Sequence, residues 1–210
     1  MDWSLHVITD RNLARGKSHL QVAQAAIEGG ATVIQLRDKE ASTRELIEAG
    51  LALRKLTLER GVAFIVNDRV DVALAVEADG VHVGQEDMPA NLARKLMGSN
   101  RIVGVSVSTV EEALQAEADG ADYVSASPVF TTPTKPDAPS PTGLEGLRLI
   151  AGVVHIPVIA IGGINEENVE EVIKAGADGV AVISAVVAAP DITAAAKALR
   201  EKIAMARRER

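Results

Sequence analysis

A chain of 210 residues with 47% hydrophobic but only 2% aromatic residues must build its core from Ala, Val, Ile and Leu, the mix of doubly buried strands and the helices on them. Four scattered histidines and no cysteine exclude a disulfide framework and a thiolate nucleophile, and argue against a zinc site. A formal charge of −7, no basic leader and no apolar run of membrane-spanning length argue against nucleic-acid and membrane partners and suit a cytoplasmic protein.

In chain order the expected strands are LHVIT (5–9), the four or five apolar residues late in EGGATVIQL (28–36), AFIV (63–66), those in EADGVHVG (77–84), IVGV (102–105), those in EADGADYVSAS (117–127), PVIAI (157–161) and those in KAGADGVAVIS (174–184). The longer phrases repeat one pattern: a helix end, a glycine suited to a left-handed cap, then a short apolar strand. Helical patterns fill the intervals, and capping boxes open several of them: Ser42 with Glu45, Thr109 with Glu112, Thr142 with Glu145. Alternating strands and helices imply βαβ units and a parallel sheet. Eight units in 210 residues fit a small (β/α)8 TIM barrel in a single domain spanning 1–210. An open doubly wound sheet is the rival, but no G-x-G-x-x-G turn follows the first strand, and Ile/Val-rich strands suit a filled barrel interior.

Barrel chemistry belongs at the C-terminal strand ends, where the polar residues collect. After the second strand, Gln35, Arg37 and Lys39 alternate and so point together into the barrel mouth. Asn67 and Asp68 follow the third strand; Gln85, Glu86 and Asp87 follow the fourth. Asp68 and Asp87 lie on neighbouring strands, and two carboxylates about 4 Å apart repel by roughly 4 kcal/mol at an effective dielectric near 20. A cation relieves that, and oxygen ligands beside phosphate favour Mg²⁺. Plainer readings remain: Asp68 as a helix N-cap, RDKE as a solvated charge run, Ser106 and Ser108 as caps, His82 as a packed strand histidine. Gly162, Gly163 and Ser184 sit where loops seven and eight of such barrels take phosphate on backbone N–H groups. The segment FTTPTKPDAPSPTG (130–143) carries four of the eight prolines and has the length of an active-site loop, assigned to 131–142, rather than of a connector.

Taken in register, QLRDK (35–39), ND (67–68), GQED (84–87), GVS (104–106), TPTK (132–135), IGGI (161–164) and IS (183–184) resemble the thiamine-phosphate synthase family over essentially the whole chain. The resemblance implies condensation of 4-amino-2-methyl-5-hydroxymethylpyrimidine diphosphate with a thiazole phosphate, releasing pyrophosphate with Mg²⁺. It implies that Gln35, Leu36, Arg37, Asp38, Lys39, Asn67, Ser106 and Lys135 meet the pyrimidine diphosphate, with Arg37, Lys39, Ser106 and Lys135 catalytic. It makes Asp68 and Asp87 the ligands of one Mg²⁺ per subunit. Thr132, Pro133, Thr134, Gly163, Ile183 and Ser184 would hold the thiazole phosphate. Many relatives carry His and Gly where this chain has Ser108 and Ser127. Two other readings stay open: a thiazole tautomerase of the same superfamily, which has no need of Asp68, Asp87, Arg37 and Lys135 together, and a non-catalytic phosphate-ligand-binding barrel. Assembly into a homo-oligomer is also left open.

Overall fold

A computed structural model describes residues 1–132 and 140–209, so most of the loop expected at 131–142, with Pro133, Thr134 and Lys135, lies outside the described residues. The elements run β1 (Leu5–Ile8), α1 (His19–Glu28), β2 (Val33–Leu36), α2 (Thr43–Arg60), β3 (Ala63–Asn67), α3 (Val70–Ala75), β4 (Gly80–Val83), α4 (Ala90–Met97), β5 (Ile102–Val107), α5 (Val110–Ala118), β6 (Tyr123–Ala126), α6 (Gly143–Ala151), β7 (Val158–Ile161), α7 (Val169–Lys174), β8 (Gly179–Val182), α8 (Ser184–Val187) and α9 (Ile192–Arg208). The strands pair in parallel in chain order, and β8 returns to β1 with Leu5 opposite Val180, which closes the barrel. The fold is the expected (β/α)8 barrel, with every expected strand in place.

Side chains alternate across each strand. Val7, Leu36, Phe64, Val81, Val103 and Val180 face outward and join the helices' apolar faces in the main core. A separate cluster of Ile8, Val33, Ile65, Tyr123, Ile159 and Ala181 fills the barrel interior, together with the buried polar residues His6, Gln35, His82 and Ser125. The expectation of an Ile/Val-filled interior therefore holds only in part. The helix-facing surface is the dry one, so most aliphatic bulk goes there; the interior opens into a cleft and carries polar groups.

The repeated phrase has a hydrogen-bonding cause. The residue before each even-numbered strand bonds the start of the preceding odd one: Thr32 Oγ1 accepts from Leu5 N–H (3.0 Å), and carboxylates accept at Asp79 from Phe64 (2.8 Å), at Asp122 from Val103 (2.8 Å) and at Asp178 from Val158 (2.9 Å). Each satisfies an N–H that the barrel buries at its base. Asp122 thus belongs to the framework, and Arg94 pairs with it.

The caps depart from expectation in two places. Ser42 and Glu45 form their box, and Ser18 with Gln21 forms another at α1. Thr109 caps α5, but the Glu112 carboxylate bonds Ser108 N–H and Oγ instead of completing the box. Thr142 is no cap: its backbone is helical, and its N–H and hydroxyl both donate to the Pro128 carbonyl (2.9 and 3.3 Å). With Gly143 N–H bonding Val129 O at 3.0 Å, this ties the far end of the proline-rich stretch back to the end of β6. The expected left-handed glycine is present at Gly30, Gly120 and Gly176, but in the EADG of 77–80 the left-handed residue is Glu77 (φ 53°), while Gly80 lies within β4, where a Cβ would strike Ile102.

Candidate active site

The cleft at the C-terminal strand ends is built first by β2 and its neighbour β1. Gln35 is inward and buried, and Arg37 and Lys39, two and four residues on, reach the same cleft. Arg37 is anchored from β1: its Nη1 donates to Asp10 Oδ2 at 2.9 Å, and its N–H to Thr9 Oγ1 at 3.3 Å. A guanidinium held by one carboxylate keeps donors for an anionic ligand. Lys39 Nζ stands 4.0 Å from Asp68 Oδ2 and is itself more exposed.

Asp68 departs from the N-cap reading. Arg69 occupies the cap position of α3, and Asp68 has a left-handed backbone, φ 62°. Its N–H donates to His82 O at 2.7 Å, which ties the end of β3 to the neighbouring β4. A non-glycine residue held at positive φ costs on the order of 1–3 kcal/mol and concentrates at functional sites. Asp87 belongs to a tight turn in which its Oδ2 accepts from Gly84 N–H at 2.8 Å. Burial, then the neighbouring Asp87 carboxylate, pushes the Asp68 carboxyl up to about 6 against the pull of Lys39 and Arg37. Two carboxylates that resist joint ionisation fit a divalent cation. Among the described residues no group of three or more His, Asp or Glu could hold a metal by side chains alone. That suits Mg²⁺, which commonly takes one or two carboxylates and completes its shell with water and substrate phosphate.

Below this pair lies a polar floor. His82, read from sequence as a packed strand histidine, sends Nδ1 to Tyr123 Oη and Nε2 to Ser106 Oγ, both at 2.8 Å. His6 lies deeper; burial, then His82, lowers its pKa to about 3, so it is neutral. Its Nε2 has no hydrogen-bond partner among the described residues.

The opposite wall comes from the ends of β6, β7 and β8. Gly162 (φ 103°) and Gly163 (φ 65°) follow β7, and a Cβ on either would press into Pro128 or Phe130 at 2.5 and 2.7 Å. Close chain packing alone therefore requires both glycines. Among the described residues, neither the N–H of Gly163 nor that of Ser184 donates to a backbone carbonyl, and Ser184 opens α8 from an exposed position. This wall offers N–H groups and a hydroxyl to an anion.

The structure thus brings Gln35, Arg37, Lys39, Asn67, Asp68, Asp87, Ser106, Thr132, Gly163, Ile183 and Ser184 to one cleft. It does not bring Leu36, which faces outward in the main core, or Asp38. Burial raises the Asp38 carboxyl, but the His19 hydrogen bond (3.1 Å) and the Arg11 charge (2.7 Å) hold it below its ordinary value. Asp38 ties the β2 loop to the β1 loop. Sequence reasoning missed Asp10, His6, His82 and Tyr123 as parts of the site. Their strand parity was the available signal, since His82 shares the inward parity of Gly84. Of the two departures, Ser108 turns to Glu112 while Ser127 lines the cleft.

The model of the family described as thiamine monophosphate synthase matches residues 5–186. Curated relatives named thiamine-phosphate synthase include one from Chloroflexus aurantiacus, 60% identical over 98% of this chain and 94% of its own, and one from Moorella thermoacetica, 56% identical over 98% of both. A solved thiamine phosphate pyrophosphorylase from Pyrococcus furiosus superposes with a TM-score of 0.91 at 52% identity, covering 98% of this chain and 97% of that one.

Proposed function

The chain belongs to the thiamine monophosphate synthase family and is a transferase; on that premise we propose a Mg²⁺-assisted, dissociative displacement of diphosphate from a pyrimidine by a thiazole nitrogen. The substrates are 4-amino-2-methyl-5-hydroxymethylpyrimidine diphosphate and a thiazole phosphate. The observation that carries the proposal is the Asp68–Asp87 carboxylate pair beside Arg37 and Lys39 in one cleft of an otherwise acidic protein.

Asp68 and Asp87 would hold the ion, which when bound neutralises charge gathering on the departing diphosphate. Arg37, oriented by Asp10, and Lys39 meet the same oxygens, with Lys135 of the undescribed segment assigned there by family resemblance. Gln35 and Asn67 supply amides that fix the pyrimidine, and Ser106 adds a hydroxyl from the floor. Gly163, Ile183 and Ser184, with Thr132, hold the thiazole phosphate on the opposite wall, aiming the ring nitrogen at the pyrimidine methylene; Pro133 and Thr134 are assigned to the same phosphate by family resemblance alone. The C–O bond breaks as diphosphate takes its electron pair; the nitrogen lone pair then forms the C–N bond. No side chain acts as nucleophile, in keeping with a chain that lacks cysteine. The work of the site is positioning and stabilisation of developing charge. Among the described residues no helix is long and apolar enough to cross a membrane, and we read the enzyme as cytoplasmic, working on small phosphorylated molecules.

The test is to supply both substrates with Mg²⁺ and quantify thiamine phosphate and pyrophosphate. Equal yields, abolished by EDTA and restored by Mg²⁺, are expected. No product from this pair with Mg²⁺ present would refute the reading.

A further inference from the structure

We propose that Tyr123 and His82 form a positioning relay that fixes Ser106 as a hydrogen-bond donor directed into the cleft. The three residues occupy adjacent strands. His82 of β4 lies opposite Gly104 of β5, which lies opposite Tyr123 of β6, so one ladder row runs from the imidazole to the phenol. Gly104 leaves the row open, and any Cβ there would lie inside the Tyr123 ring. The ring spans the gap, stacks on His82 at 5.5 Å and is held from below by Trp3 at 5.0 Å, so it has no room to swing.

The direction of the bonds follows from proton accounting. Tyr123 is buried, and burial raises its pKa, so the hydroxyl keeps its proton. Among the described residues, His82 Nδ1 is the one hydrogen-bond partner of that hydroxyl. If Tyr123 accepted from an Nδ1–H, its own proton would be stranded in a buried place with no acceptor. If it donates, Nδ1 is the acceptor, the ring proton sits on Nε2, and Nε2–H donates to Ser106 Oγ. Ser106 then cannot give its proton to the histidine. Ser106 is half-buried at the cleft, and its O–H is turned toward whatever occupies it. A serine bonded the other way round would offer the cleft only lone pairs, which repel a diphosphate oxygen or a ring nitrogen. Tyr123 and His82 thus act through Ser106. The identity of the acceptor rests on the proposed function; the tautomer and the coupling do not.

Two measurements decide it. Long-range ¹⁵N–¹H correlation of the histidine-labelled, ligand-free protein should show His82 protonated at Nε2 and not at Nδ1; the opposite tautomer would overturn the relay, whatever the enzyme's substrates. In a double-mutant cycle, Tyr123→Phe should lower kcat/KM by about tenfold or more in the wild-type background and by less than about twofold in a Ser106→Ala background, because the phenol then has nothing to orient. His82→Gln, whose amide nitrogen stands in for Nε2, should recover part of the loss seen in His82→Asn. Equal losses from Tyr123→Phe in both backgrounds would show that Tyr123 merely packs. Product formation abolished in the unmodified enzyme would instead refute the functional reading and leave the tautomer result standing.

Discussion

Replacing Asp87 by Asn should stabilise the metal-free protein while abolishing its response to Mg²⁺. Asn keeps an oxygen to accept from Gly84 N–H, so the turn survives and only the charge is lost. Burial, then Asp87, pushes the Asp68 carboxyl up to about 6 in the folded protein, from an ordinary value of 3.8. A raised acid pKa means that the folded state holds the proton more tightly, so stability is fully present below about pH 4 and falls as pH rises through 6. A shift of roughly two pH units corresponds to about 3 kcal/mol. Burial is the largest cause and remains in the variant; Asp87 ranks below it, so its neutralisation should return the smaller part, on the order of 1 kcal/mol. For a chain of this size that is a rise of about 2–4 °C in Tm. Thermal unfolding at pH 8 in EDTA, then in Mg²⁺, reads both effects: the variant should melt higher in EDTA, and Mg²⁺ should raise Tm in the wild type only. An equal or lower Tm in EDTA, or an equal gain from Mg²⁺ in both proteins, would refute the reasoning.

Four further outcomes follow. Below pH 6 the proton on Asp68 competes with the ion, so Mg²⁺ affinity should fall by about tenfold per pH unit and level off above it, as calorimetric titration across the range would show. Asp10→Ala should raise KM for the diphosphate by about tenfold, by removing the acceptor at 2.9 Å that aims Arg37; an unchanged KM would remove Asp10 from the site. Gly163→Ala should destabilise the fold by about 1–3 kcal/mol, since its Cβ would meet Phe130 at 2.7 Å with φ at 65°, so lost activity there would not by itself report on phosphate binding. Asp79→Ala should cost about 1–3 kcal/mol in chemical denaturation, because Phe64 N–H and Arg54 both lose their partner; a neutral result would empty the account of the repeated phrase.

Much of this was legible without coordinates because barrels tie function to strand ends. Once QLRDK, ND and GQED were assigned to the ends of successive strands, their inward convergence followed from period-two alternation and strand adjacency. What stayed hidden depended on neighbours distant in sequence. Nothing local to Asp68 announces that its backbone turns left-handed rather than capping α3. Nor does VHV announce that His82 reaches Tyr123 across a glycine on the strand between them. The repeat was plain in the sequence, yet its reason, a polar residue bonding the start of the preceding strand, needed the register. Thr142 looked like a cap because its spacing to Glu145 matches one; the pull of the Pro128 carbonyl overrides that pattern.

The central claim is that Asp68 and Asp87 together hold the cation that faces the departing diphosphate. A crystal structure with pyrophosphate and Mn²⁺ in place of Mg²⁺ tests it, because anomalous scattering locates the ion without assumption. The account predicts a peak bonded to oxygens of both Asp68 and Asp87 and to pyrophosphate, with pyrophosphate also on Arg37. A metal peak away from that pair, or pyrophosphate seated only on the Gly163–Ser184 wall, would contradict it.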